Sequence, residues 1–301
     1  VYRYLKPTPL YHYAGLSALV GAEVWIKHEN HHPVGAFKVR GGLNLAANLS
    51  SAERAAGLFT ASTGNHGQSI AFAGRTFGIE ATIAVPEGAN PGKVAAMRGL
   101  GATVIHHGAD FDTAREWIMG VAAEKGGRFV LPTEEPLICG VGTYGLEIVE
   151  GLPDVETIIV PVGGGSGACG TSIAAKGINP KIEVIGAQSA QAPAMQRSWA
   201  SGKLVSAETS TFAEGVATRV PFPNTQRIMR HYLDDFLLVD DAAIREAVRL
   251  LLQHTHNLAE GAGAIALATA LAYKDRFSGK KVVLVMSGGN LSLENLRDIL
   301  G

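Results

Sequence analysis

Gly57-Leu58-Phe59-Thr60-Ala61-Ser62-Thr63-Gly64-Asn65-His66 decides how this chain is read. The run ending at Ala61 is short, apolar and strand-like, and Gly64 to Phe77 follows the helical period, so Ser62-Thr63-Gly64 is the turn between a strand and a helix. The same rhythm extends in both directions. Val24-Trp25-Ile26, Ala81 to Val85, Thr103-Val104-Ile105, Thr157 to Pro161, Glu183 to Gly186 and Val282 to Met286 read as strands. Pro91 to Leu100, Phe111 to Lys125, Gly167 to Lys176, Ala242 to His254 and Ala262 to Ala272 read as helices, several of them opening after a Gly or Pro. Strands and helices in alternation build parallel sheets through crossover connections. The expected fold class is α/β, with two lobes that each hold a mostly parallel sheet flanked by helices. Evenly spaced strand-helix units from about Ala52 to Thr133 predict a small domain over 52–133, with 1–51 and 134–301 forming the larger one.

Composition narrows the partners. Of 301 residues, 47% are hydrophobic and 18% charged, and 37 are glycine, which suits a globular α/β protein with many tight turns. A net charge of -1 provides no electrostatic footprint for nucleic acid or an anionic membrane, so the expected partner is a small molecule. Leu258 to Tyr273 is the most apolar long segment, and it falls short of the roughly 20 residues that span a bilayer. No transmembrane helix is expected. The chain starts at Val1-Tyr2-Arg3 with no leader-like segment, and a cytoplasmic setting is the expectation. Cys139 and Cys169 lack metal or disulfide spacing, and both read as buried thiols. His31-His32, His106-His107 and His254-x-His256 have no third ligand placed by spacing, so they read as surface or core histidines. Asp234-Asp235 and Asp240-Asp241 read as loop and helix-cap charges.

Four segments could carry chemistry. Gly163-Gly164-Gly165-Ser166-Gly167 follows a strand and opens an Ala-rich helix, so backbone N–H groups and a helix N-terminus would face one anion, with a phosphate as the natural occupant. A structural turn and a dinucleotide loop are the rivals. The second is disfavoured because this is not the first strand turn and Glu183 begins the next strand instead of ending it. Lys38, in Gly35-Ala36-Phe37-Lys38-Val39-Arg40-Gly41-Gly42, stands at a turn before a helix starting near Arg40. It is either an exposed lysine at a helix start or, if desolvated toward a neutral pKa, an imine-forming amine or base. Ser62, Thr63, Gly64, Asn65 and His66 offer hydroxyls, an amide and backbone donors suited to a carboxylate, and Ser287-Gly288-Gly289-Asn290 ends the last strand in the same fashion. Each of these two loops also fits a helix cap.

Taken in order, Ala-Phe-Lys-x-Arg-Gly, Ser-x-Gly-Asn-His, the glycine-rich run and the late Ser-Gly-Gly-Asn resemble the serine/threonine dehydratase (ammonia-lyase) and serine racemase branch of fold-type II pyridoxal-phosphate enzymes. The likeness extends to Lys6-Pro7-Thr8-Pro9-Leu10, Ile138 to Thr143 and Ala259 to Ala264. It implies pyridoxal 5′-phosphate as cofactor, held as an imine by Lys38. Phe37 would pack beside the pyridine ring, Asn65 would bond its phenolic oxygen, Gly163, Gly164, Gly165, Ser166 and Gly167 would cradle the phosphate, and Ser287 would bond the ring nitrogen. The substrate would meet Ser62, Thr63, Gly64, Asn65, His66 and Arg115, with Lys38 and Thr63 as the catalytic groups. The 52–133 domain would be the mobile substrate domain, the rest would bind the cofactor, and a homodimer is implied.

Departures from the branch refine the expectation. Racemases carry a second serine, the acid/base of the opposite substrate face, where this chain has Thr63, which weighs against racemisation. The branch's divalent-cation site uses a Glu and an Asp where Gln188 and Ala194 stand, and a hard cation prefers carboxylates, so no metal site is expected. The expected activity is conversion of a β-hydroxy amino acid such as threonine or serine to a 2-oxo acid and ammonia. The alternatives are a serine racemase, a β-replacement enzyme, disfavoured by His66 in place of the threonine usual there, and a non-catalytic amino-acid-binding homologue.

Overall fold

A computed structural model describes residues 1–301, which pack as two compact units: Val1–Leu5 with Lys38–Gly140, and Lys6–Phe37 with Val141–Gly301. In chain order the elements are β1 (Leu10–His12), α1 (Ala14–Val20), β2 (Glu23–His28), α2 (Lys38–Ala47), α3 (Ser51–Ala56), β3 (Leu58–Ala61), α4 (Asn65–Phe77), β4 (Ala81–Val85), α5 (Pro91–Gly99), β5 (Thr103–His106), α6 (Phe111–Glu124) and β6 (Arg128–Phe129). There follow α7 (Glu135–Gly151), β7 (Thr157–Pro161), α8 (Ser166–Ile178), β8 (Glu183–Ser189), α9 (Ala194–Ser201), α10 (Pro223–Tyr232), β9 (Asp235–Val239), α11 (Asp241–Thr255), α12 (Gly261–Ala272), α13 (Lys274–Phe277), β10 (Lys281–Met286) and α14 (Leu293–Leu300).

The smaller unit is built on a parallel sheet in the order β5-β4-β3-β6. Its central strands β3 and β4 are buried on both faces because successive side chains enter different cores. Leu58, Ile83 and Val85 join Ile70 and Met97 on one side, while Phe59 and Ala84 meet Ala114 and Ile118 on the other. A strand covered on both faces reads as a continuous apolar run, which is why Leu58 to Ala61 was legible. Asp110 caps α6 by accepting from Thr113 N, and Ser50 with Glu53 forms a reciprocal capping box on α3.

The larger unit holds a sheet in the order β1-β2-β10-β7-β8-β9. All pairs are parallel except β1 with β2. Val24, Ile26, Ile159, Ile185 and Leu284 form its core with α12, whose small-residue sequence is buried on every side. The registers Val283↔Ile158 and Val282↔Thr157 bring the carboxyl ends of β7 and β10 to the same edge of this sheet. No helix is long and apolar enough to cross a membrane. Cys169 is buried as expected, but Cys139 is exposed, because it occupies a solvent-facing position of α7 between Ile138 and Gly140. Asp240 is the N-cap of α11, and Asp234 accepts from Val184 N while pairing with Lys176. Asp235 lies in β9 and pairs with Arg276.

Candidate active site

In the smaller unit the turn after β3 places Ser62 to Gly64 at the head of α4, at the carboxyl end of a parallel strand where ligands of open α/β sheets bind. Ser62 Oγ accepts from Gly64 N at 3.2 Å, which folds the turn on itself, and a Cβ built on Gly64 would meet nothing within 4 Å. The space in front of that residue is open. Asn65 and His66 are the first residues of α4, whose leading N–H groups find no acceptor inside the helix.

Lys38 begins α2, which packs along α4. Ser69 Oγ of α4 donates to the Lys38 carbonyl at 2.6 Å, so the two helix heads are fastened together. Lys38 is partly open to solvent, yet the protein around it desolvates its ammonium and lowers its pKa to about 8. His66 is pushed down to about 3, first by burial and then by the Lys38 charge. The imidazole is therefore neutral at physiological pH. Its Nε2 lies 3.1 Å from Thr60 Oγ1, which itself donates to the Val130 carbonyl at 2.9 Å. With the threonine hydrogen committed to Val130, Nε2 must carry the proton that joins it to Thr60, leaving Nδ1 as an acceptor. Thr63 and Asn65 are both partly exposed beside it. Arg115 lies on α6, pairs with Asp112 at 3.1 Å and covers the Phe111 ring, so its charge already has a carboxylate partner within its own helix.

In the larger unit the loop after β7 turns into α8 through Gly165, whose φ of 95° is open to glycine and strained for other residues. A Cβ on Gly163 would overlap the Gly215 carbonyl, and one on Gly165 would lie 2.9 Å from Thr225 Cβ. The glycines are thus required by close packing as well as by the turn. Phe37 is held at the same edge: its N–H donates to the Ser287 carbonyl at 3.0 Å, and Ala36 bridges Gly288. The Phe37 ring meets Tyr144 edge-on with centroids 5.9 Å apart, and Tyr144 OH donates to the Gly167 carbonyl. Ser287 is buried at the end of β10. Phe37, Ser287 and the glycine loop therefore form one cluster, and Lys38 is the next residue along the chain from Phe37.

Tyr144 and Thr225 belong to this cluster without having been singled out in the sequence. Thr225 has no motif around it beyond Pro223 at the first turn of α10, and only the fold brings it to the loop. Gln188, where the resembled branch has a carboxylate, is fully buried with its amide in use: Nε2 donates to the Val216 carbonyl and Oε1 accepts from Gln196 N. No group of three or more His, Cys, Asp or Glu residues is arranged to hold a metal ion.

A lysine amine of lowered pKa, a glycine cradle that side chains would fill and a neutral hydroxyl at a strand end suit an aldehyde cofactor that carries a phosphate. The architecture and these groups define a fold-type II cofactor enzyme. The chain belongs to the pyridoxal-phosphate dependent enzyme family, whose profile matches residues 1–288, and its cofactor is pyridoxal phosphate. It is 41% identical over 295 residues to the L-threonine ammonia-lyase of Thermotoga maritima, an alignment covering 97% of this chain and 73% of that protein. In structure it is similar to the processed form of threonine deaminase isoform 2 from Solanum lycopersicum, with a TM-score of 0.94, 32% identity, and coverage of 98% of this chain and 87% of that one. It is also similar to maize serine racemase, with a TM-score of 0.94, 32% identity, and coverage of 99% and 93%.

Proposed function

We propose that this protein is a pyridoxal-phosphate-dependent ammonia-lyase that converts a β-hydroxy amino acid, threonine or serine, to the 2-oxo acid and ammonia. The observation that carries the reading is Lys38, an amine whose surroundings favour its neutral form, at the head of a helix fastened to the head of α4. Pyridoxal phosphate, when bound, supplies the electron sink that makes the substrate's α-hydrogen acidic.

The chain's own residues supply the rest. Lys38 would hold the cofactor through Nζ, and the same amine, when free, would accept the substrate's α-proton. The Gly163–Gly167 loop would hold the phosphate, Phe37 would pack beside the ring, Asn65 would bond the phenolic oxygen, and Ser287 would offer the ring nitrogen a neutral hydroxyl. Ser287 thereby avoids enforcing a pyridinium charge, which favours elimination over transamination. Ser62, Thr63 and the leading N–H groups of α4 bind the substrate carboxylate, and neutral His66 adds an acceptor without adding charge. Arg115 contributes at the substrate only by exchanging its Asp112 partner. The proton taken up on Lys38 Nζ would return to the departing β-hydroxyl, which leaves as water, and the enamine product hydrolyses to the oxo acid and ammonia.

The division into a cofactor domain of 1–51 with 134–301 and a mobile substrate domain of 52–133 is part of this reading, although 1–5, 38–51 and 134–140 pack with the smaller compact unit; a cytoplasmic setting, a homodimer and independence from a metal belong to it as well. Light scattering tests the dimer, and assay with and without a chelator tests the metal. The central experiment measures the absorbance of the bound cofactor together with oxo acid and ammonia from a panel of β-hydroxy amino acids, for the parent and for Lys38→Ala. The parent is expected to be coloured and active, and the variant to be inactive; equal turnover by Lys38→Ala refutes the proposal. Serine racemase activity is the second reading, favoured by the similarity to the maize enzyme. Recovery of D-serine from L-serine in the same assay would establish it.

A further inference from the structure

The peptide between Gly164 and Gly165 is flanked by glycine on both sides, so side chains impose almost no barrier to its rotation. Rotated by half a turn, it would present a carbonyl oxygen where an anion needs an N–H. Something outside the loop must therefore fix it.

Thr225 is placed to do so. It is fully buried in α10, and its Oγ1 donates to the Gly164 carbonyl at 2.7 Å, much closer than its other acceptor, the Phe222 carbonyl at 3.3 Å. A planar trans peptide points its C=O and N–H in opposite directions, so drawing the Gly164 carbonyl toward α10 turns the Gly165 N–H away from α10. The loop rests directly on this side chain, because a Cβ on Gly165 would stand 2.9 Å from Thr225 Cβ and 3.0 Å from its Oγ1. Cys169 of α8 adds a further tie, with Sγ 3.5 Å from the Thr225 carbonyl.

We infer that Thr225 is a positioning residue for cofactor binding: by holding the Gly164 carbonyl, its hydroxyl aims the Gly165 N–H at the phosphate. The inference rests on the reading that Gly163–Gly167 receives that phosphate. Thr225 itself touches neither substrate nor reacting atoms. Removing its hydroxyl leaves the half-buried Gly164 carbonyl without that donor, and the loop either keeps the penalty or rotates the peptide to relieve it.

The test titrates the full chain, stripped of cofactor, with pyridoxal phosphate and with pyridoxal, which lacks the phosphate. Binding is followed by absorbance and needs no turnover. Thr225→Val, which keeps the shape and loses the hydroxyl, is expected to weaken pyridoxal phosphate about tenfold, the scale of one net hydrogen bond. It should leave pyridoxal affinity unchanged, and Thr225→Ser should restore most of the loss. Should the valine variant not fold, Thr225→Ala removes the same hydroxyl and is judged by the same ratio of the two affinities. Parent-like pyridoxal phosphate affinity without the hydroxyl, or equal weakening of both ligands, overturns the positioning role while the loop assignment stands. A parent protein that binds pyridoxal as tightly as pyridoxal phosphate overturns the loop assignment itself.

Discussion

Desolvation at Lys38 disfavours the ammonium, and the sign of that effect can be tested. With a folded pKa of about 8 and an ordinary value of 10.5, the unfolded chain binds more protons than the folded one between those limits. Stability of the cofactor-free protein therefore rises with pH across that window. Urea titrations from pH 8 upward should show the slope, and Lys38→Met should abolish it. Uptake of pyridoxal phosphate by the stripped protein should likewise accelerate as pH rises through about 8, since only the neutral amine attacks an aldehyde. His66 behaves in the opposite range: lowered from 6.5 to about 3, its imidazole should show no NMR titration midpoint in the ordinary histidine range. Thr60→Val, which removes the nearer partner of Nε2 and leaves the Val130 carbonyl at 3.4 Å, should shift the ring's tautomer signature. The Phe37-Lys38 and Asn65-His66 motifs were legible as sequence. The burial that tunes them was not, because desolvation sums over residues distant along the chain.

At the scale of elements, α2 and α4 approach so closely that glycine is required between them. A Cβ on Gly42 would lie 2.7 Å from the Ser69 carbonyl oxygen, a backbone atom that cannot rotate away. Gly42→Ala should cost about 1–3 kcal/mol by overpacking and should weaken the Ser69 bond to the Lys38 carbonyl. Chemical denaturation measures the first effect, and cofactor uptake reads the second. The same logic explains an element that pattern reading passed over. Helix α7 contains Gly140, Gly142 and Gly145, poor helix formers by propensity, yet Gly142 and Gly145 lie against the α8 backbone at Gly170 and Thr171. Close helix packing outweighs the propensity cost. Strand β9 was hidden for a different reason: Asp235, Leu237 and Leu238 are only half-buried, and its acidic start reads as a loop.

At the scale of the whole molecule, the Lys6-Pro7-Thr8-Pro9-Leu10 segment is tied into the larger unit by a buried ion pair. Lys27 Nζ donates to Glu147 Oε2 at 2.6 Å and to the Thr8 carbonyl at 2.7 Å, while Thr8 N donates to the same carboxylate. Both charges are almost completely buried, at 1% and 6% side-chain exposure, so removing one strands the other. Glu147→Ala should destabilise by about 3–5 kcal/mol, and Lys27→Met combined with Glu147→Leu should recover most of it. A double-mutant cycle in urea measures both. Neither residue stood out in the sequence, where they are separated by 120 positions.

By itself the sequence determined the α/β class, the main strands and helices, and the motifs around Lys38, Asn65, Gly163–Gly167 and Ser287. Period, β-branched runs and glycine punctuation are local properties that a linear reading can detect. Only the tertiary structure decided that Thr225 lies under the Gly164 carbonyl, that Thr60 meets His66 Nε2, and that Lys27 meets Glu147. It also decided that desolvation lowers the Lys38 pKa to about 8. Those outcomes depend on which distant side chains exclude water and supply hydrogen-bond partners, and chain folding alone sets that.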